Sequence, residues 1–587
     1  MALHRQGRLT EAETLYQDIL RSDPHHFDAM HLCGVVALQT RRTAQGVALV
    51  RDAIALNGGV AEAHSNLGNG LRELRRYDEA LASFDRAIAL KPDDAQAHRD
   101  RAMALQNLGR HAEALASLGE AVALKPDLEF VHGMLTHTKM LMCDWRGLDC
   151  DVNALVERIE RGETAAMPFA VVPWSDSPRL QRKAAEIYVR AKCPANAVLP
   201  KIARYPRHDR LRVGYFSADF HNHATAYLAA ELFERHDASS FEITAFSFGS
   251  DAGDAMRQRL MAGFDRFIDV RNRSDQDVAG LARDLEIDIA VDLKGFTKDF
   301  RTGIFACRAA PIQVNYLGYP GTMGADYIDY IIADPTLIPA SEQSHYAEQI
   351  AYLPDSYQVN DRQRRIADRP VTRAEAGLPP DGCVFCCFNQ SLKITPDVFD
   401  GWMRILRQVA GSVLWLLQDN DAATANLRKA AIDRGVDAGR LVFAQRQPLP
   451  DHLARHRLAD LFLDTAPYNA HTTASDALWA GLPVLTRMGA TFASRVGASL
   501  LHAVGLQEMI TTSQEAYEAK AVTLASNPEA LMAVKQTLAR NRLTTPLFDT
   551  ARFTTHLEAA YRAMYARYQA GLPPAPIRVP PTGMCGG

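Results

Sequence analysis

The sequence predicts a multidomain chain in which an N-terminal all-α repeat superhelix precedes twin Rossmann-like α/β domains. Three observations carry that expectation. A 34-residue periodicity runs through the first 130 or so positions. From Arg210 onward, short apolar runs alternate with helical stretches. Two blocks, Phe388-Asn389-Gln390-Ser391-Leu392-Lys393 and Asp464 through His471-Thr472-Thr473 to Asp476, each follow an apolar run and set cationic, amide or hydroxyl groups where a helix should begin.

At 587 residues the chain exceeds a single core, and roughly three or four domains are expected. The boundaries read as repeats over 1–145, a helical linker over 146–208, a first α/β domain over 209–370, a second over 371–570 and a mobile tail over 571–587. With 47% hydrophobic and 23% charged residues the composition is that of a soluble globular protein. The net charge of -4 offers no general affinity for nucleic acid, so no nucleic-acid partner is expected. No apolar run is long enough for a transmembrane helix, and the first residues lack the apolar stretch of a signal peptide; the expected location is cytoplasmic, with no membrane partner. The nine cysteines are scattered and read as reduced thiols. Cys383 and Cys386 form a CxxC pair followed by Cys387, but they lie within a strand-like run, and no second pair completes a tetrahedral metal site.

The repeat is read from its register. Pro24, Gly58, Pro92 and Pro126 are spaced 34 residues apart, as are Ala12, Gly46, Ala80 and Ala114. The same spacing aligns Ala53, Ala87 and Ala121, and sets Gly34 and Gly68 against Ala102. Small residues at these places let two helices approach, and the proline or glycine ends the second helix. This pattern resembles the tetratricopeptide repeat. The first copy reads as having lost its first helix, and a fourth begins near Leu128. Stacked helix pairs present a concave face suited to a polypeptide, or to a scaffold or dimer contact. Asn66 and Asn69 are placed to reach a bound backbone, although Leu32 and Asp100 at the positions equivalent to Asn66 break any asparagine ladder. In the linker, 151–160 and 177–192 read as amphipathic helices.

The expected strands of the first half are Leu211–Phe216, Phe241–Phe248, Ile287–Leu293, Ile312–Leu317 and Ile328–Ala333. Those of the second half are Val384–Phe388, Val413–Leu417, Leu441–Ala444, Leu461–Leu463 and Val484–Thr486. Alternating β and α of this kind argues for parallel sheets covered by helices, with ligands beyond the carboxyl ends of the strands. A last amphipathic helix, 550–570, is expected to pack across the halves.

The chemistry-bearing residues sit at those ends. Thr472 or Thr473 is a candidate N-cap, and the helix N-terminus, the threonine hydroxyls and the His471 imidazole together suit a phosphate; an ordinary capped helix has the same residues. Lys393, close after a strand and beside Gln390, suits charge building on a leaving diphosphate. His452 and Arg455 fall on one helix face, ready to flank a base or a phosphate, or simply to be solvated. In the first half, Asp219 and His223 can share proton work across a hydroxyl, with Asn222 and Thr225 in the same block. Leu317-Gly318 ends another strand, where glycine allows close backbone approach. Asp419-Asn-Asp421 reads as a metal-binding Asp-x-Asp or as a polar loop; no acidic metal cluster and no Walker loop stand out.

At these residues, together with Cys143-Asp144-Trp145, Ala310 to Thr322 and Ser412 to Leu417, the chain resembles the bacterial O-linked N-acetylglucosamine (O-GlcNAc) transferases with tetratricopeptide repeats. That resemblance covers nearly the whole chain. It implies an inverting glycosyltransferase of GT-B type that needs no metal and moves N-acetylglucosamine from UDP-GlcNAc to Ser/Thr hydroxyls of proteins. It implies that Gln390, Lys393, His471, Thr472 and Thr473 hold the diphosphate, that His452 lies against the uracil with Arg455 nearby, and that Asp476 binds the ribose. His223 would sit beside sugar and acceptor, with Asp219, Asn222 and Thr225 around it, and Leu317 and Gly318 would line the sugar pocket. The base remains one of His223, Asp219 and the donor's own phosphate. Departures from the animal pattern are Leu392 for a tyrosine, Leu449 for a lysine, Tyr468 for a small cysteine, and Ala-Ala-Met167-Pro168-Phe169 for a histidine-rich stretch. A related transferase with another donor (GDP-fucose) or another acceptor (asparagine or a small molecule), and a catalytically degenerate repeat scaffold, stand as the competing readings.

Overall fold

A computed structural model describes residues 2–581 and resolves two compact units. One comprises the chain up to Lys139 together with Val270–Asp277; the other comprises Met140–Asp269 and the chain from Val278 onward.

The first unit is built from helix pairs. Phe27–Gln39 pairs with Thr43–Leu56, Ala61–Glu73 with Tyr77–Leu90, and Ala95–Asn107 with His111–Leu124. Close approach within a pair explains the register of small residues. A Cβ on Gly34 would come within 2.6 Å of Val50, and one on Gly68 within 2.7 Å of the Phe84 ring. The copy at the start has only Ala2–Arg5 ahead of its second helix, Leu9–Ser22, as the truncated pattern indicated. The two asparagines are engaged between repeats. Asn66 Nδ2 lies 3.0 Å from His31 Nε2, and Asn69 Nδ2 donates to Asp100 at 3.3 Å. Their amides bind neighbouring repeats, which differs from the expectation that they reach for a bound backbone.

In the second unit the strands, numbered along the chain, are β1 Leu211–Ser217, β2 Phe241–Ser247, β3 Arg266–Asp269, β4 Ile289–Asp292, β5 Ile312–Asn315, β6 Tyr330–Ala333 and β7 Gln349–Tyr352. There follow β8 Val384–Cys387, β9 Val413–Leu417, β10 Leu441–Ala444, β11 Leu461–Leu463, β12 Val484–Arg487, β13 Ile510–Thr511 and β14 Ile577–Arg578. They form an eight-stranded sheet ordered β14-β7-β6-β5-β4-β1-β2-β3 and a six-stranded sheet ordered β10-β9-β8-β11-β12-β13. The pairings are parallel, and β4, β5, β6 and β8 are buried at every residue, which is why they appear in the sequence as unbroken apolar runs.

The C-terminal region departs from expectation twice. The helix Thr550–Gln569, which the sequence assigns to the second α/β domain, lies on the first sheet. Glu558 accepts from the Asp237 N–H at 2.8 Å, and the Tyr561 hydroxyl meets that of Tyr215 at 3.3 Å. The tail, expected to be mobile, instead runs as β14 along β7, pairing Ile577 with Ala351 and Arg578 with Tyr352. Ile577 is buried, and the Val579 N–H donates to Tyr352 O at 3.0 Å. Its last six residues, 582–587, lie outside the described ones.

The linker helices Leu148–Glu160 and Pro178–Lys192 belong to the same compact unit. Asp176 between them takes hydrogen bonds from Ala490 N, Thr491 N and Ser494 Oγ beyond β12. No helix among the described residues is long and apolar enough to cross a membrane.

All five tryptophans fall after residue 139, so their fluorescence reports on the second unit alone. Ile577→Asp, which would place an unpaired carboxylate in a buried position, is expected to lower that unit's stability by about 2 kcal/mol or more in urea titrations. An unchanged midpoint would mean that β14 does not hold the tail.

Candidate active site

Each sheet reverses its strand order once, between β4 and β1 in the first and between β8 and β11 in the second. Loops leaving the carboxyl ends on either side of such a reversal diverge and open a crevice. Most of the residues expected to carry chemistry follow β1, β8 and β11; Leu317 and Gly318 follow β5, and His452 and Arg455 lie on the helix after β10.

In the second half, β8 runs into Asn389, Gln390 and a single 3₁₀ turn, Ser391–Lys393; β11 runs into the Asp464–His471 loop and the helix Thr472–Trp479. Because β8 and β11 are hydrogen-bonded neighbours, their loops meet. Asn389 Nδ2 donates to Thr465 Oγ1 at 2.8 Å, and Thr473 Oγ1 donates to Asn389 Oδ1. Lys393 is buried; its Nζ donates to Asn469 O at 2.7 Å and stands 3.7 Å from the centre of the Tyr468 ring. Burial brings its pKa down to about 8, against the attraction of Asp464. An ammonium seated in this way, close to a helix N-terminus whose first N–H groups lack intrahelical partners, is suited to an arriving anion. Gln390 is exposed beside it.

His471, and not either threonine, occupies the N-cap position, with no side-chain capping bond. Its Nε2 lies 3.2 Å from Ala493 O, which can only accept, so the imidazole proton is engaged there. Burial first, then Lys393, hold the ring well below its ordinary pKa. The expected imidazole donor to phosphate is therefore absent from this arrangement; the threonines and the helix N–H groups remain.

His452 and Arg455 do meet. Arg455 donates to His452 Nδ1 at 2.5 Å and to Gln445 O at 2.6 Å, and its guanidinium lies 4.3 Å from the Phe388 ring centre. Burial lowers the Arg455 pKa to about 10. His452 Nε2 is 4.0 Å from an oxygen of Asp476, whose other oxygen pairs with Arg364 at 2.5 Å. Burial pushes Asp476 up to about 6, with Arg364 opposing.

In the first half, His223 caps the helix Ala224–Arg235, accepting from the Thr225 N–H at 3.2 Å. Its Nδ1 is also 3.4 Å from Asp219 Oδ2, which accepts from Thr225 Oγ1 at 3.4 Å. Burial lowers the His223 pKa, and Asp219 works the other way. Asn222 is exposed and donates its backbone N–H to Asp254 at 2.9 Å. β5 stops at Asn315, two residues earlier than expected, because Leu317 takes a left-handed φ of 67°. A Cβ on Gly318 would lie 2.0 Å from Leu293 O, so the close backbone approach expected there is present.

The two groups approach each other at two points. Tyr227, one turn beyond His223, has its pKa raised by burial and then by the charges of Asp254 and Asp476. Tyr319, next after Leu317-Gly318, is raised by burial, then by Glu348 and by Tyr468, the residue that covers Lys393.

Sequence reasoning missed Lys294, Arg364 and the organising role of Asp464. Lys294 had a signal: it directly follows an expected strand, much as Lys393 does. Arg364 sits in a run of charged loop residues that nothing local distinguishes. Asp419 proves to be part of a polar loop: one oxygen accepts from Ser391 N at 3.1 Å and the other from Arg446 at 2.5 Å. Among the described residues, no three His, Cys, Asp or Glu side chains form a metal-binding group.

Residues 1–61 and 67–134 match tetratricopeptide repeat models. Over 467 residues the chain is 35% identical to the probable UDP-N-acetylglucosamine–peptide N-acetylglucosaminyltransferase SEC of Arabidopsis thaliana, covering 76% of this chain and 48% of the plant protein. Over 560 residues it is 28% identical to the UDP-N-acetylglucosamine–peptide N-acetylglucosaminyltransferase of Caenorhabditis elegans, covering 74% and 49%. The chain thus spans about half the length of these curated relatives. A solved structure of a mutant O-GlcNAc transferase of Thermobaculum terrenum superposes with a TM-score of 0.70 at 28% identity, covering 93% of this chain and 98% of the other. The family model for glycosyl transferase family 41 matches residues 196–371 and 366–557, which include both parallel sheets' switch points, and the chain belongs to that family.

Proposed function

We propose that the protein is an inverting O-GlcNAc transferase that moves N-acetylglucosamine from UDP-GlcNAc to Ser or Thr hydroxyls of polypeptides. The observation that carries this reading is Lys393, a buried ammonium resting on a carbonyl and an aromatic face beside a helix N-terminus, in a chain of this family. The activities for which the plant and nematode relatives and the bacterial structure are named support the donor and the acceptor class.

In this reaction the acceptor oxygen forms a bond to the anomeric carbon from the face opposite the diphosphate. The bond from that carbon to the β-phosphate oxygen breaks, and UDP leaves with the electron pair. Lys393, Gln390, Thr472, Thr473 and the free N–H groups of the Thr472–Trp479 helix bind the diphosphate and stabilise its growing charge. His452 packs on the uracil and is held by Arg455; Asp476, held by Arg364, takes the ribose. Asn222, Thr225, Leu317 and Gly318 surround the sugar, and Asp219 and His223 orient the acceptor or receive its proton. No metal is required, because the lysine and the helix terminus supply the positive charge. His471 acts as a packing residue and a backbone support. The repeat superhelix guides the polypeptide acceptor. The scattered spacing of the nine cysteines supports a reducing compartment such as the cytoplasm.

Incubation with labelled UDP-GlcNAc and cell lysate, followed by mapping of modified residues, tests the reaction; calorimetry with UDP and GDP tests the donor. Tight GDP binding with weak UDP binding would overturn the donor assignment. Lys393→Ala is expected to lower kcat by about 100-fold or more, and full transfer by that variant would sink the role given to the lysine. The ammonium is present below its pKa of about 8 and lost above it, so kcat/KM should fall as pH rises through that value. In Lys393→Arg the same limb should move to higher pH; a limb that stays in place belongs to another group.

A further inference from the structure

Lys294 has no part in the donor site, yet its side chain is only 3% exposed. It follows β4, across the strand-order reversal from Asp219. Its backbone is pinned, with Lys294 N and Gly295 N donating to Asp292 Oδ1 at 2.8 and 3.1 Å. Its Nζ donates to Asp219 Oδ2 at 2.7 Å. That same oxygen is the one 3.4 Å from His223 Nδ1.

Two groups therefore compete for His223 Nδ1. The Thr225 N–H, 3.2 Å away, can only donate and requires a lone pair on Nδ1. A free Asp219 carboxylate would require a proton there. Pairing Asp219 with Lys294 removes much of the second demand and leaves the first. A neutral imidazole with its lone pair on Nδ1 carries its proton on Nε2. Burial favours the neutral ring, and Lys294 adds to that effect; of the other titratable groups facing it, His221 acts in the same direction and Asp219 and Asp299 oppose.

We propose that Lys294 is a positioning residue for glycosyl transfer, whose ion pair with Asp219 leaves His223 Nδ1 to the Thr225 N–H and fixes the imidazole as an Nε2–H donor to a substrate oxygen. The catalytic part of this statement rests on the transferase reading above; the tautomer does not. In this form His223 holds an oxygen of the sugar nucleotide or the acceptor by donating to it. It does not take the acceptor's proton, because its remaining lone pair faces the Thr225 N–H.

The test uses the full chain labelled with 15N-histidine, the His223 signals being assigned by difference from His223→Gln. The wild type should show a protonated Nε2 and an unprotonated Nδ1. In Lys294→Met the buried Asp219 carboxylate, left without its cation, should draw the proton to Nδ1 and reverse the pattern. With UDP-GlcNAc, kcat should then fall by about tenfold or more, while the Kd for UDP stays within about twofold. Lys294→Gln keeps a hydrogen bond to Asp219 without the charge, and carries the same expectation if the methionine variant does not fold. In the double variant Lys294→Met with Asp219→Asn, which removes both charges, the Nε2–H form and part of the rate should return. A wild-type His223 protonated on Nδ1, or a tautomer that ignores loss of the Lys294 charge, overturns the proposal. Absence of turnover by the wild type with any nucleotide sugar would defeat the transferase reading and leave the NMR result to decide the tautomer alone.

Discussion

The enclosed carboxylate of Asp464 holds the second half of the candidate site together. One oxygen accepts from Thr465 N at 2.7 Å and Ala470 N at 2.6 Å, and the other accepts from Thr486 Oγ1 at 2.6 Å on the neighbouring strand β12. Those bonds fold residues 465–470 into a closed loop. The loop carries the Asn469 carbonyl and the Tyr468 ring on which Lys393 rests, and it delivers His471 to the start of its helix. Burial raises the Asp464 pKa to about 6, opposed by its hydrogen bonds and by Lys393. The neighbouring helix Val496–Val504 fits only because Gly497 has no side chain: a Cβ there would sit 2.5 Å from Thr486 Oγ1 and 2.8 Å from Asp464 Oδ2. The loop is thus shaped by a buried charge, three donors and one absent methyl group.

Two buried lysines, Lys294 and Lys393, follow strands at the two reversals of strand order, and their surroundings give them opposite characters. Asp219 neutralises Lys294 directly. Lys393 rests on a carbonyl and an aromatic face, neither of which cancels its charge. Lys393 therefore has no carboxylate in direct contact, and Asp464, tied up by its own three hydrogen bonds, offsets its field only from a distance. The first half of the crevice holds a carboxylate in a direct ion pair, and the second holds a cation without one. Under the proposed transfer, this division would serve the different demands of an acceptor hydroxyl and a departing diphosphate.

Much of this was legible in the sequence because central parallel strands are buried on both faces. Val413–Leu417 and Leu461–Leu463 have the bounds expected from their apolar runs, and the edge strand Leu441–Ala444 was read as well because its sequence is wholly apolar. The strands that escaped notice lie at or near sheet edges or are very short. β3 is half-exposed with charged ends, β13 and β14 have two residues each, and β7 begins with a glutamine. None of them leaves a periodic apolar signature. Candidate site residues stand out in the sequence where a block after a strand carries unusual chemistry, as at Lys393 and His223. Pairings between distant segments left no such trace. Asp476 could be singled out, but its partner Arg364 lies 112 positions away in a charged loop. The contact of the His471 imidazole with the Ala493 carbonyl was equally illegible, because that carbonyl belongs to a loop 22 residues later.

The return of the C-terminal segment to the first sheet has a consequence for biogenesis. β7 and the face that receives the helix Thr550–Gln569 are complete once the ribosome has passed Tyr352, yet the residues that cover them are made last. At ordinary elongation speeds this interval is roughly ten to forty seconds. Throughout it, the first sheet carries an unpaired parallel edge and an uncovered apolar patch around Tyr215, while the whole second half is being synthesised. The first half cannot mature as an independent vectorial folding unit, and a nascent chain interrupted anywhere before the final helix would present the quality-control machinery with a sticky, half-clothed sheet.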